Sequence, residues 1–322
     1  MKYVLLIALL AAAACTSEKR AEFKGKLRAI DSPKYDAEFW KTWSDGFAEM
    51  ASYDLLRPKY NATREGTAVT IFVTETLSNT IRVKADPGRH PKTDEVSVMK
   101  LNLIEDFQTG IYDYNLMLSS FVNLETSAGL HAGSPLKVSF SSQEWCGHIF
   151  KQALFDVPGV RVTSHSYFDG EADQEKTLDG NADGTSEDTL MLWARGMARP
   201  ALKPGEVKNM DMVASLEGAR HAQGPAYWTK AKLSRATEPE TLTVPAGTFQ
   251  VDRFTAAIEG GITKVFLVEK AAPHRIIQWE SSTGAKAQMV KSDRLKYWQM
   301  NSPEGEKYLK NLGLGRRPAR TM

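Results

Sequence analysis

Apolar residues in this chain recur at every second position, segment after segment, from about residue 67 to residue 298. A strand turns successive side chains to opposite faces, so a period of two commits the chain to strands with one apolar face each. In TAVTIFVTE (67–75), Val69, Ile71 and Val73 share a face and Thr70 and Thr74 lie opposite. NTIRVKA sets Ile81 and Val83 against Arg82 and Lys84, and SVMKLNL sets Met99, Leu101 and Leu103 against Lys100 and Asn102. The segments at 135–145, 159–168, 247–257, 261–270, 275–281 and 285–298 repeat the pattern. Turn signals separate them: Asp86-Pro87-Gly88, Gly133-Ser134-Pro135, Pro158-Gly159, Pro245-Ala246-Gly247, Gly260-Gly261 and Ser282-Thr283-Gly284. The expected fold is mainly β. Roughly ten or more short strands with hairpin-sized gaps make a large curved antiparallel sheet or half-barrel.

Helical signals are few. Pro33 after Asp31 or Ser32 starts a short helix that carries Phe39, Trp40 and Trp43 on one side and ends at Gly46. Two further helical stretches are expected at Tyr114–Phe121 and Pro303–Asn311. No strand–helix–strand rhythm occurs, which argues against a dinucleotide-binding fold. The folded body covers residues 32–312, and a basic tail follows at 313–322. The stretch 169–189, DGEADQEKTLDGNADGTSEDT, is acidic and Gly-rich, and is expected as a long exposed loop between halves 32–168 and 190–312. Strands with a single apolar face need partners, so one continuous sheet across both halves is expected.

The N-terminus reads MKYVLLIALLAAAAC: Lys2, an apolar run Tyr3–Leu10, small residues Ala11–Ala14, then Cys15. That order is a secretory signal peptide (1–14), too short to remain as a spanning helix. Small residues running into a cysteine resemble the bacterial lipobox, with Ala12 where Leu is usual. The resemblance implies lipidation of Cys15 and a polar, basic tether at 15–31; the alternative is an ordinary signal cut that leaves a free protein. Thr16 and Ser17 follow the cysteine, without the Asp of inner-membrane retention, so the expected location is the outer membrane, facing the periplasm. Lipidation would leave Cys146 as the one other cysteine and no intramolecular disulfide. With 41 Lys+Arg against 39 Asp+Glu, the charge is too balanced for a nucleic-acid surface, and no nucleic-acid partner is expected.

SSQEWCGH (141–148) is the sharpest chemical cluster. On a strand Glu144, Cys146 and His148 share a face, about 7 Å apart step by step. A bulge at Gly147 would let them support nucleophilic chemistry or hold a metal; otherwise Cys146 is a small packing residue. Asp179, Asn181, Asp183 and Thr185, with Gly184 at position six, match the first half of a calcium loop. Leu190 stands where the closing Glu belongs, and an acidic solvated loop explains the composition equally well. The six His show no zinc-binding spacing, and no nucleophile elbow or phosphate loop is present. Trp40, Trp43, Trp228, Trp279, Tyr297 and Trp298 suit the core of a curved sheet, or the walls of a cavity if the sheet is too wide to fill.

LTVPAGTFQVDRF (242–254) followed by GITKVFLVEKAAPHRIIQWE (261–280) resembles exported bacterial proteins of the DUF3108 type. REGTAVTIFVTE (64–75), VMKLN (98–102), FQTGIYDYNLM (107–117) and SSQEWCGH also look like a group of exported bacterial proteins of similar length. The resemblance implies a curved antiparallel sheet of lipoprotein-carrier-like architecture. Some members carry the label septum formation inhibitor Maf, but the SxSPRR-type phosphate loop of true Maf proteins is missing here. No catalytic residues are implied. The expected function is a non-enzymatic envelope lipoprotein that binds an apolar, lipid-like or envelope-polymer ligand, or a protein partner, in a curved groove. The alternative is an envelope hydrolase or thiol-dependent enzyme built on Cys146, His148 and Glu144.

Overall fold

The computed structural model describes residues 31–127, 129–221 and 226–316. The signal peptide, Cys15 and nearly all of the tether lie outside the described residues, as does the tail from residue 317. Eight strands come first in a simple meander: β1 (Ala48–Lys59), β2 (Ala62–Ser78), β3 (Glu95–Thr109), β4 (Tyr112–Asn123), β5 (Pro135–Glu144), β6 (Gly147–Phe155), β7 (Gly159–Ser166) and β8 (Gln174–Asp179). The second series is β9 (Thr185–Ser186), β10 (Val207–Val213), β11 (Trp228–Arg235), β12 (Glu240–Val244), β13 (Gly247–Ile258), β14 (Ile262–Glu269), β15 (Ile276–Ser281) and β16 (Lys286–Leu295).

All sixteen belong to one curved sheet, mainly β as the alternation requires. Its order runs from β8 back to β1, then β16, β15, β14, β13, β11, β10 and β9, with β12 beside β13. The join is β1 against β16, antiparallel from Ala48↔Leu295 to Leu56↔Lys286. The two ends of the order, β8 and β9, are consecutive in the chain. Trp228 Nε1 donates to the Asp179 carbonyl at 2.9 Å, and Asn181 Nδ2 donates to Asp211 at 3.1 Å. The connection 180–184 therefore spans the gap between two sheet edges that twist has brought round towards each other.

The acidic stretch is not the exposed loop expected from composition. Gln174–Asp179 is strand β8, and residues 184–189 are buried. They lead into a 3-10 turn, Glu187–Thr189, and helix α2 (Leu190–Ala194), every residue of which is buried. Five residues cannot sustain a helix in water; this one exists because the curled sheet surrounds it. Trp193 is fully enclosed, gives its Nε1 proton to the Pro200 carbonyl at 3.0 Å, and meets Phe254 edge-on at 5.5 Å. Arg195 closes the plug. Its guanidinium makes two bonds to Glu49, at 2.7 and 3.0 Å, and lies 4.2 Å over the Phe72 ring.

Three smaller expectations also change. Tyr114–Phe121 is part of β4, because Tyr114, Leu116 and Leu118 alternate inward where a helix would scatter them. The first helix, Ala37–Trp43 (α1), is capped by Asp36, whose Oδ1 accepts from Phe39 N at 2.8 Å; Asp31 and Ser32 do not cap it. The C-terminal helix is a 3-10 run, Pro303–Leu312. On β2 the inward set is Ala68 and Phe72, whereas Ile71 and Val73 form an outer cluster with Ala48, joined by Val69 and Tyr297.

Candidate functional site

The plug fills only one end of the curled sheet. Beside it remains a cavity of about 520 Å³. One wall is Leu103 of β3, Leu116 and Leu118 of β4 and Phe140 of β5; the other is Phe266 of β14 and Trp279 of β15. Leu190 and Met191 of α2 form the floor, and Tyr227, Ile262 and Thr283 stand at the mouth. Its size falls in the range of small-molecule sites, ~300–1,000 Å³.

Of the eight charged side chains that line this apolar space, Glu259 and Glu280 stand apart and the other six form an inner ring. Arg57 Nη1 lies 3.1 Å from Glu105, and its Nη2 bonds Glu217, which belongs to helix α3 (Leu216–His221). Lys264 Nζ lies 2.8 Å from Glu187. The second Glu187 oxygen accepts from Ser215 N, and Asp188 Oδ2 accepts from Leu216 N, both at 2.9 Å. Burial raises the Asp188 pKa to about 6, with Glu187 adding to the rise and the Leu216 N–H opposing it. Burial also pushes Glu105 up, against the pull of Arg57. For Lys264, burial opposes the charge, but Glu187, Asp188 and Glu217 outweigh it and raise the pKa. The inner ring holds four carboxyls and two cations, so it favours a cationic or hydrogen-bond-donating group over an anion.

A second cavity of about 340 Å³ adjoins the first. Tyr60, Phe107, Tyr114 and Ser142 line it, and Arg57, Pro58, Leu116, Phe140 and Glu217 line both. The Arg57–Glu217 ion pair thus stands where an elongated ligand would pass from one chamber to the next.

The buried Asp188 has a consequence for stability. Its pKa is higher folded than unfolded, so the native state holds the extra proton between about pH 4 and 6, and stability falls as pH rises through that window. Asp188→Asn keeps an oxygen for Leu216 N and removes the titration. Urea unfolding of this variant is expected to give higher stability at pH 7 by about 2–3 kcal/mol and a flatter profile between pH 4 and 6. An unchanged slope would assign that pH dependence elsewhere.

The residues singled out in the sequence are placed differently. Glu144-Trp145-Cys146-Gly147 is the turn between β5 and β6, so Glu144, Cys146 and His148 do not share one strand face. Glu144 accepts from Cys146 N at 2.7 Å and, by hydrogen bonding and charge, pushes the Cys146 thiol pKa up. That opposes the thiolate a nucleophile needs. His148 is exposed and sits opposite Gln143. In the calcium-loop stretch, Asn181 turns onto Asp183 N at 3.0 Å and Thr185 is buried beside Thr189. Gly184 is needed for packing, since a Cβ there would come 2.6 Å from the Trp228 ring. Among the described residues no group of three or more His, Cys, Asp or Glu side chains is arranged to hold a metal ion.

The cavity's charged ring was missed because five separate segments supply it. One signal was available. Leu101, Leu103, Glu105 and Phe107 keep a single parity along β3, and Tyr53, Leu55 and Arg57 do so along β1, each placing a charge on an inward face.

Fold and cavity together define the class: a single antiparallel sheet curled round its own buried segment, with a chamber left open at one end. No protein-family description and no curated protein matches the chain. Among solved structures, the beta-barrel-like protein of domain of unknown function DUF1849 from Brucella abortus is similar, at 12% identity and a TM-score of 0.44. The match covers 78% of this chain and 98% of that one.

Proposed function

We propose that the protein is a non-enzymatic binder of an amphiphile, taking an apolar chain into the 520 Å³ cavity and holding a cationic or hydrogen-bond-donating head at the Glu105, Glu187, Asp188 and Glu217 carboxyls. The observation that carries this reading is the pairing of an apolar chamber with a buried ring in which acids outnumber bases. The thiol of Cys146, raised by Glu144 beside it, and its place in a turn rather than on one strand face with His148 weigh against the thiol-enzyme alternative. The leader ending in Ala11–Ala14 and Cys15 supports an exported protein, tethered by lipid to the outer membrane on its periplasmic side. Its likeness to exported DUF3108-type proteins belongs to the same reading.

Mass spectrometry of molecules released on denaturing the protein, after mild extraction from its own envelope, tests this. The wild type is expected to release one apolar-tailed species in near-stoichiometric amount. Leu118→Trp, which fills the chamber, is expected to release at least about tenfold less. Equal release from both proteins would overturn the assignment of the site.

A further inference from the structure

Five large apolar side chains among the described residues are more than half exposed: Tyr60 (58%), Ile81 (57%), Ile111 (80%), Trp145 (61%) and Tyr167 (73%). All but Ile81 sit on turns at the same end of the sheet. In a meander every second turn points the same way, and the β1–β2, β3–β4, β5–β6 and β7–β8 turns are that set. Neighbouring members lie two strands apart, about 10 Å. The register of β1 with β16 brings the 282–285 turn to this end, and that of β13 with β14 brings the 259–261 turn. Thr283 and Ile262, at the mouth of the larger cavity, therefore lie beside the row. Tyr60 lines the smaller one.

Local geometry at the tips is specific. Lys59↔Ala62 closes a two-residue turn in which Tyr60 and Asn61 both have positive φ, 53° and 57°. The sheet's twist asks for that turn, but Asn-Gly is the usual occupant; a tyrosine there is held at some cost in backbone energy. Rings continue from tip to tip. Tyr60 meets Tyr114 at 6.2 Å, Tyr114 meets Tyr112 at 6.0 Å, and Tyr112 meets Trp145 at 6.3 Å.

We infer that this row of tips is a membrane-contact surface that docks the cavity end onto a phospholipid bilayer of zwitterionic headgroups. Separate projecting tips spaced ~10 Å apart along a curve would each need its own socket in a rigid protein, whereas a fluid interface accepts them one by one. Tyr and Trp carry both the apolar body and the polar edge that suit the headgroup layer. Charge decides the lipid class. Asp113, Glu144, Asp169, Glu171 and Asp173 flank the tips, against Lys59 and Arg64 as cations and His148 and His165 as titratable neighbours, so acids outnumber the fixed cations and an anionic surface is repelled. Docking this end leaves both cavities opening onto the lipid. The inference does not require the cavity to bind an amphiphile.

The test is quenching of Trp145 emission by phosphatidylcholine vesicles brominated near the top of the acyl chains, with the full chain. Subtracting the Trp145→Phe protein isolates the Trp145 signal, whatever the N-terminus does on the vesicle. Strong quenching of that signal is expected, reduced about tenfold in an Ile111→Asp/Tyr167→Asp double variant, and weaker on phosphatidylglycerol-rich vesicles. Both substitutions are at exposed turn positions, and an unchanged unfolding midpoint checks that the body is intact. An unquenched Trp145 on vesicle-bound protein, an unaffected double variant, or shielding of Trp145 solely by a co-purifying protein overturns the proposal. Retained amphiphile release by the double variant separates this result from the cavity assignment.

Discussion

Replacing Trp193 by Ala is expected to remove about 3–5 kcal/mol of unfolding free energy, measured by urea denaturation at pH 7. The indole belongs to the largest buried cluster, packed on Phe254, with its one polar atom satisfied by Pro200. Truncation removes the ring's burial, leaves a void the sheet cannot close, and strips the Pro200 carbonyl of its donor. The size of the loss distinguishes a core element from a loop. A surface position outside such packing would lose under ~0.5 kcal/mol.

Arg195→Met is expected to destabilise by a similar amount, about 3–5 kcal/mol. Arg195 has no exposed side-chain surface and Glu49 almost none. Met replaces the stem's packing on Phe72 but leaves the Glu49 carboxylate in the core without its bonded partner, with only the longer-range attraction of Arg275 remaining. Adding Glu49→Gln to the same protein should recover part of the loss, because the residual charge, and not the missing contact, is the larger penalty. If the double variant is no better than the single, the His274 and Pro273 carbonyls, which also accept from Arg195, carry the effect.

These two residues mark where the sequence was and was not legible. The strands were visible because each side of the sheet keeps its own parity, Val69, Ile71 and Val73 in the outer cluster and Ala68 and Phe72 inside, and because turn residues such as Pro245-Ala246, the two-residue connection of β12 to β13, punctuate them. Leu190–Ala194 gave no periodic signal, since a segment enclosed on every side needs no polar face. Its flanking Glu187 and Asp188 look like solvated acids until Lys264, Ser215 N and Leu216 N are brought to them by a distant turn of the sheet. Composition records charge but not partners. Tyr114–Phe121 misled because Tyr114, Leu116, Leu118 and Met117 are apolar at mixed spacing, and only Met117 points to solvent. For the site, the parity of Glu105 and Arg57 was readable, whereas Glu217 and Lys264 required the fold. Glu144, Cys146 and His148 drew attention by residue type, yet a two-residue turn separates them.

The proposed site is a chamber beside the plug that would admit one apolar chain and select its head through the carboxyls. Titration of the purified protein with dodecylammonium and with dodecanoate, read by isothermal calorimetry, measures this directly. Saturable one-to-one uptake of dodecylammonium is expected, with at least about tenfold weaker uptake of dodecanoate and loss of both in Leu118→Trp. Tighter binding of the carboxylate, or undiminished binding by the filled variant, would contradict it.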